Sequence, residues 1–162
     1  MKQTDLMEKF YSVLVNDEQL LRYLYYHPTN YSDDPLSPTK ADVTTMPNTW
    51  DIRRNLIKKS KVVDDLNVDT NINRILVFPG KRRPQYNNYL FASQLVVIDS
   101  LVRIKDDDID CRQSKINDRI NDLVFDERIG GVGKVSFKDG DQIGAPPGFV
   151  GYRLIYEVGS VS

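Results

Sequence analysis

A chain of 162 residues with 40% hydrophobic and 28% charged side chains has the size and balance of one domain that can bury a core without disulfides or metal. Its apolar runs, such as Leu95–Ile98, are far too short to cross a bilayer, and Met1 to Asp5 lack the apolar stretch of a secretory signal, so residence in a cytoplasm is expected. The net charge of -1 conceals an asymmetry: residues 1–50 carry -3, residues 51–105 carry +6 and residues 106–162 carry -4. Alternating signs along one chain suit contact between copies of that chain, whereas a nucleic-acid protein usually has a basic excess overall.

In chain order, Leu6, Met7, Phe10, Val13 and Leu14 recur at helical spacing and predict a helix over residues 5–15. Asn16 stands three residues before Gln19, a capping-box spacing, and Leu20, Leu21, Leu24 and Tyr25 follow on one face of a second helix. From Pro28 to Trp50 the chain holds Pro28, Pro35, Pro38 and Pro47 among many turn formers, which predicts a long loop. Such a segment has few large apolar residues with which to order itself and is expected to be mobile in the free subunit. Asp51 then opens a short helix through Ile52, Leu56 and Ile57, with a basic face at Arg53, Arg54, Lys58, Lys59 and Lys61.

Two β-rich runs come next, Ile72–Phe78, ending at Pro79-Gly80, and Tyr89–Ile104, and they read as a hairpin. Both faces are apolar around Leu95–Ile98, which predicts a central strand covered on both sides. Asp110 is the expected cap of a helix with the stripe Ile116, Ile120, Leu123 and Val124, closed by Gly130, Gly131 and Gly133. Val135 and Phe137 alternate into a turn signal at Asp139-Gly140, and Phe149–Val158 is the final strand, with Val150, Tyr152, Leu154, Tyr156 and Val158 on one face. The order predicts a single α+β domain over 1–162: N-terminal helices and a mostly antiparallel sheet of about four strands with one long helix packed on it.

Several motifs suggest chemistry. Asp106, Asp107, Asp108 and Asp110, followed by Asp126 and Glu127, are carboxylates of the kind that bind Mg²⁺. With Pro79-Gly80-Lys81-Arg82-Arg83-Pro84 and Asp108-Ile109-Asp110 the chain resembles phage-type Holliday-junction resolvases, although Cys111 stands where that family has Asn and Glu127 replaces an Asp. The competing reading is a solvated acidic helix start. The lone Cys111 and His27 offer neither a disulfide nor a metal-ligand set, and His27 lacks the serine or cysteine context of a catalytic base. Gly144–Tyr152 resembles the pore loop of Clp/Hsp100 unfoldases, but no G-x-x-x-x-G-K-[ST] phosphate loop accompanies it. Gly130, Gly131 and Gly133 follow a helix rather than a strand, so they are no dinucleotide fingerprint. Arg82 and Arg83, near Tyr86 and Tyr89, suit either nucleic-acid stacking or a protein contact.

The run Asp17-Glu18-Gln19-Leu20-Leu21-Arg22-Tyr23-Leu24-Tyr25-Tyr26, the Asp33-Asp34-Pro35-Leu36 loop, the Arg82-Arg83 hairpin, the Arg112 to Leu123 helix and the closing Val150-Gly151-Tyr152-Arg153-Leu154-Ile155-Tyr156 give the chain its main resemblance. It resembles neck and tail-completion proteins, of the tail-terminator kind, of tailed bacteriophages infecting Gram-positive bacteria. The resemblance implies a structural virion subunit, assembled in the host cytoplasm, that forms a six-fold ring. The ring ends the tail tube and docks the head connector or stopper; head-completion and stopper proteins are the near alternatives. It implies no catalytic residues, cofactor or metal, no membrane and no specific nucleic acid, although DNA passes through such a ring. A closed ring needs two complementary patches. The candidates are Arg53, Arg54, Lys58, Arg82 and Arg83 on one side and Asp106, Asp107, Asp108 and Asp141 on the other.

Overall fold

A computed structural model describes residues 2–85, 88–130 and 132–161; Tyr86 and Gly131 lie outside the described residues, as does the side chain of Tyr89. The architecture is α+β. Helices α1 (Gln3–Val15), α2 (Glu18–Tyr25), α3 (Thr49–Leu56), α4 (Ile104–Asp110) and α5 (Arg112–Val124) accompany strands β1 (Ile57–Lys58), β2 (Arg74–Gln85), β3 (Asn88–Arg103), β4 (Val132–Ile143) and β5 (Phe149–Val161). The strands form one sheet in the order β1-β2-β3-β5-β4, antiparallel except for the two-residue β1, which runs parallel to β2.

Period two along β3 divides the protein into layers. Val96, Ile98 and Val102 face the main core with Phe10 and Leu14 of α1, Leu21 and Leu24 of α2, and Ile116 and Ile120 of α5. Leu101 faces the other way, into a smaller cluster with Leu66, Leu76 and Phe149. The expectation of a central strand covered on both sides thus holds, with β3 in the middle of five strands rather than four.

Several expected boundaries move for local reasons; α3, for one, opens at Thr49 rather than Asp51. Asp17, not Asn16, caps α2, its carboxylate accepting from Leu20 N at 2.9 Å, while Asn16 ends α1 by donating to Ser12 O at 2.9 Å. The strand β2 continues past Pro79-Gly80 through a bulge, since only β1 flanks its outer side, and only at Ile75 and Leu76, so a missing N–H at Pro79 breaks no ladder there. Gln94 Nε2 donates to the bulged Gly80 carbonyl at 3.1 Å. Asp139-Gly140 sits just after a bulge of β4, and the reversal comes at residues 144–148, where Gly148 has φ 86 and a Cβ would lie 3.0 Å from Val68 Cα. The glycine cluster does not end α5, which stops at Val124 with Phe125 extended and Asp126 at φ 61.

The Pro-rich segment is a loop, as expected, and carries a buried anchor. It lacks long elements, but Val43 opens a 3-10 turn (Val43–Thr45) and is fully buried in the main core. Side chains from the helices collect its carbonyls: Arg22 donates to Pro35 O and Ser37 O at 3.3 Å each, and Tyr26 Oη to Ala41 O at 2.6 Å. Lys40 pairs with Asp33 inside the segment. The loop is therefore held both from within, by Val43 and by Asn30, Asp33, Asp34 and Asp42 side chains that accept from its own N–H groups, and from outside by Arg22 and Tyr26. Limited proteolysis of the native chain is expected to spare residues 34–42, and Arg22→Ala to make them the first cleavage site; equal protection in both proteins would show that Arg22 does not hold the loop.

Candidate functional site

The sheet order separates the two halves of the proposed ring contact. At one margin, β1 and the outer edge of β2 carry Lys58, Lys81, Arg82 and Arg83, with Arg54 on the neighbouring α3. At the opposite margin, β4 carries Asp139 and Asp141 alongside Lys134 and Lys138, and a groove across the sheet face brings Lys81 and Arg83 to the same lining as Lys138 and Asp139. Asp107 of α4 lines a polar groove with Asp118 of α5 and with Gln142 of β4, so Asp107 lies beside β4. Among the described residues neither Asp139 nor Asp141 forms an ion pair; each carboxylate accepts only the next backbone N–H, Gly140 at 2.9 Å and Gln142 at 2.8 Å.

Two of the nine candidates belong elsewhere. Arg53 is buried and donates to Thr49 Oγ1 at 2.9 Å, Asn16 Oδ1 at 3.1 Å and Thr44 O at 3.3 Å. Asp106 is 2% exposed. Neither can reach a neighbouring subunit, because each spends its charge on an internal network. Arg54, Arg82, Arg83, Asp108 and Asp141 are exposed, and Lys58 and Asp107 are half-buried. Asp107 Oδ1 accepts from Gln113 N at 3.0 Å, taking the capping role expected of Asp110.

Asp106 sits in a polar node at the C-terminal end of α2. Its Oδ2 meets His27 Nδ1 and accepts from Asn73 Nδ2 at 3.0 Å, and Arg103 lies 3.9 Å from Oδ1. His27 Nε2 faces the Asn71 carbonyl. Burial opposes ionisation of Asp106, but the hydrogen bond and charge of His27, the Asn73 amide and Arg103 together outweigh it and hold the group below its ordinary value. Arg112, fully buried, completes the node by donating to Tyr23 O at 2.7 Å, to Tyr26 O and to Asp110 Oδ2 at 2.8 Å.

The carboxylates of the nuclease-like pattern are similarly occupied. Asp110 pairs with Arg112 and Lys115, and Asp126 with Lys134 at 3.0 Å. Among the described residues no three His, Cys, Asp or Glu side chains are grouped to hold a metal.

Sequence reasoning missed four exposed aromatic positions, one of them Tyr31 in the Pro-rich segment. Trp50 is 46% exposed on α3, Phe125 48% after α5 and Phe137 45% on β4. Phe137 alternates with the buried Val135 as a core residue would, and its exposure follows only from the marginal position of β4.

Residues 17–158 match the YomW family. The chain belongs to the YomW family. A relative from Bacillus subtilis (strain 168), described as "SPbeta prophage-derived uncharacterized protein YomW", is 30% identical over 165 residues, covering 95% of each chain. A prophage-derived relative agrees with the expected phage association. The family match runs from the α2 cap to the last strand and so includes both sheet margins and the Asp106 node. No helix among the described residues is long and apolar enough to cross a membrane.

The node gives this YomW-family chain an acid sensitivity of definite sign. A carboxylate whose folded pKa lies below its unfolded value adds stability that is complete above the unfolded value and is lost as pH falls through the folded one. Urea midpoints measured from pH 6 down to about pH 3 should fall less steeply in Asp106→Asn than in the wild type. A residual slope from Asp33 and Asp65, which Lys40 and Arg74 hold low, should remain. Identical slopes would show that Asp106 does not titrate with unfolding.

Proposed function

We propose that the chain is a structural protein of the head-to-tail neck of a phage virion, a ring subunit that ends the tail tube and joins it to the head connector. The observation that carries the reading is the placement of the accessible basic candidates at the β1/β2 margin and of Asp141 at the β4 margin, with Asp107 beside that strand. In a closed ring each subunit gives one surface and receives another, and opposite charge on the two assists encounter and sets register. A prophage-derived relative matching nearly the whole chain supports the phage setting. The tying of Asp110 and Asp126 into ion pairs favours a structural role for them over a nucleolytic one. A head-completion or stopper ring would use the same surfaces.

Exposed ion pairs contribute only about 0.2–1 kcal/mol each, so single substitutions should do little and combinations should matter. Arg82→Glu with Arg83→Glu is expected to move the light-scattering mass toward monomer and to block head-tail joining. Asp107→Lys with Asp108→Lys in the same chain should restore part of both. Negative-stain images of the wild type, alone and with tail tubes, should show rings of about six copies, as the neck resemblance implies. A double arginine reversal that assembles normally, with a mass insensitive to salt, would defeat the electrostatic ring. Mg²⁺-dependent cutting of branched DNA, abolished by Asp108→Asn, would defeat the structural reading altogether.

A further inference from the structure

The helix layer is narrower than the sheet. Helix α5 packs on β3 and β5, and the margin of β4 beyond it leaves a notch of about 520 Å³ lined by Phe125, Phe137, Leu154, Asn117, Asn121 and Asp118. The Phe137 ring rests edge-on against the buried Tyr156 at 5.7 Å, which fixes the floor of the notch. Two half-exposed phenylalanines over a preformed apolar floor make a surface that gains by being covered. Its rim is acidic: Asp118 is exposed and, among the described residues, in no ion pair, and Asp122 follows one helical turn later.

At the far margin of the same layer, α3 presents the complementary group. Trp50 is 46% exposed, with the Arg53 guanidinium centred 4.3 Å from its ring and that of Arg54, an exposed group that also lies 3.9 Å from the Asp51 carboxylate, at 5.9 Å. Arg53 is itself fixed by Asn16, Thr44 and Thr49, so the indole is backed by a rigid cation rather than by mobile chain. A pre-ordered aromatic with an exposed arginine beside it is the kind of anchor that dominates interface energy, since little freedom is lost when it docks. Both features lie in the helix layer, at opposite margins of one sheet, so no chain can satisfy its own notch.

We propose that the Phe125/Phe137 notch receives Trp50 of a second copy of this chain, with Arg54 of that copy against Asp118. This rests on the ring reading and supplies the apolar half of its contact. Trp50 is the sole tryptophan, so its emission reports directly on the site.

The test is sedimentation and tryptophan emission over a concentration series of the full chain. Wild-type emission should shift to the blue as the protein assembles. Trp50→Ala should weaken self-association about thirtyfold. Asp118→Lys, a surface change that leaves the apolar floor intact, should weaken it about fivefold, and Arg54→Glu in the same chain should recover most of that. Phe125→Glu destroys the receiving side only, so mixing it with Trp50→Ala should give a heterodimer through the one intact contact and nothing larger. Wild-type assembly with unshifted emission, or normal assembly by Trp50→Ala and Asp118→Lys, overturns the notch contact and leaves the ring reading standing. A wild-type chain that remains monomeric at every concentration overturns both.

Discussion

The fold hangs on the end of one short helix. The last turn of α2 leaves carbonyls without intrahelical donors, and in this protein they are buried among three other elements. Tyr23 O and Tyr26 O accept from Arg112, and Leu24 O accepts from Asn73 N. Asn73 reaches onward, its Oδ1 accepting from Arg103 N at 2.8 Å and its amide donating to Asp106. A single polar node therefore fixes where β2 begins, where β3 ends and how α4 and α5 leave the sheet. Breaking one member of such a network strands a buried charge or donor, which is why its members act together rather than as a sum of pairs.

A second buried arginine does for the basic margin what Arg112 does for the helices. Arg74, fully buried at the first residue of β2, donates to Asn55 O at 2.9 Å, Asn55 Oδ1 at 2.8 Å, Val62 O at 3.1 Å and both Asp65 oxygens. It pins the end of α3 and the irregular chain after β1 to the sheet. The stretch that carries Lys58 and Lys59 is thereby a defined surface and not a tether.

Much of the fold was legible in period and punctuation. Apolar spacing located α1, α2 and α5, and the doubly apolar run at Leu95–Ile98 located the middle strand, because burial on one or both faces writes itself directly into residue order. Signals that depend on distant partners were illegible. Asp139-Gly140 has the composition of a turn, yet both residues pair with Ile155 and Leu154 just after a bulge, because β5 continues to pair beyond it. The segment after Pro28 has the composition of a free loop, yet Arg22 and Tyr26 help to hold it. The same blindness affected the candidate surface: charge alone could not separate Arg54 from Arg53, or Asp107 from Asp106, since burial was decided by Asn16, Thr44, His27 and Asn73 from elsewhere in the chain.

The shortness of β1 has a consequence of its own. It covers the edge of β2 at Ile75 and Leu76 only, so from Val77 onward that edge faces outward with Pro79, Lys81, Arg82, Arg83 and Pro84 along it. Prolines withhold donors and like charges repel, so two such edges brought together cannot zip into a continuous ladder. At high concentration the chain is in this way kept out of the irreversible cross-strand aggregates that bare sheet edges nucleate.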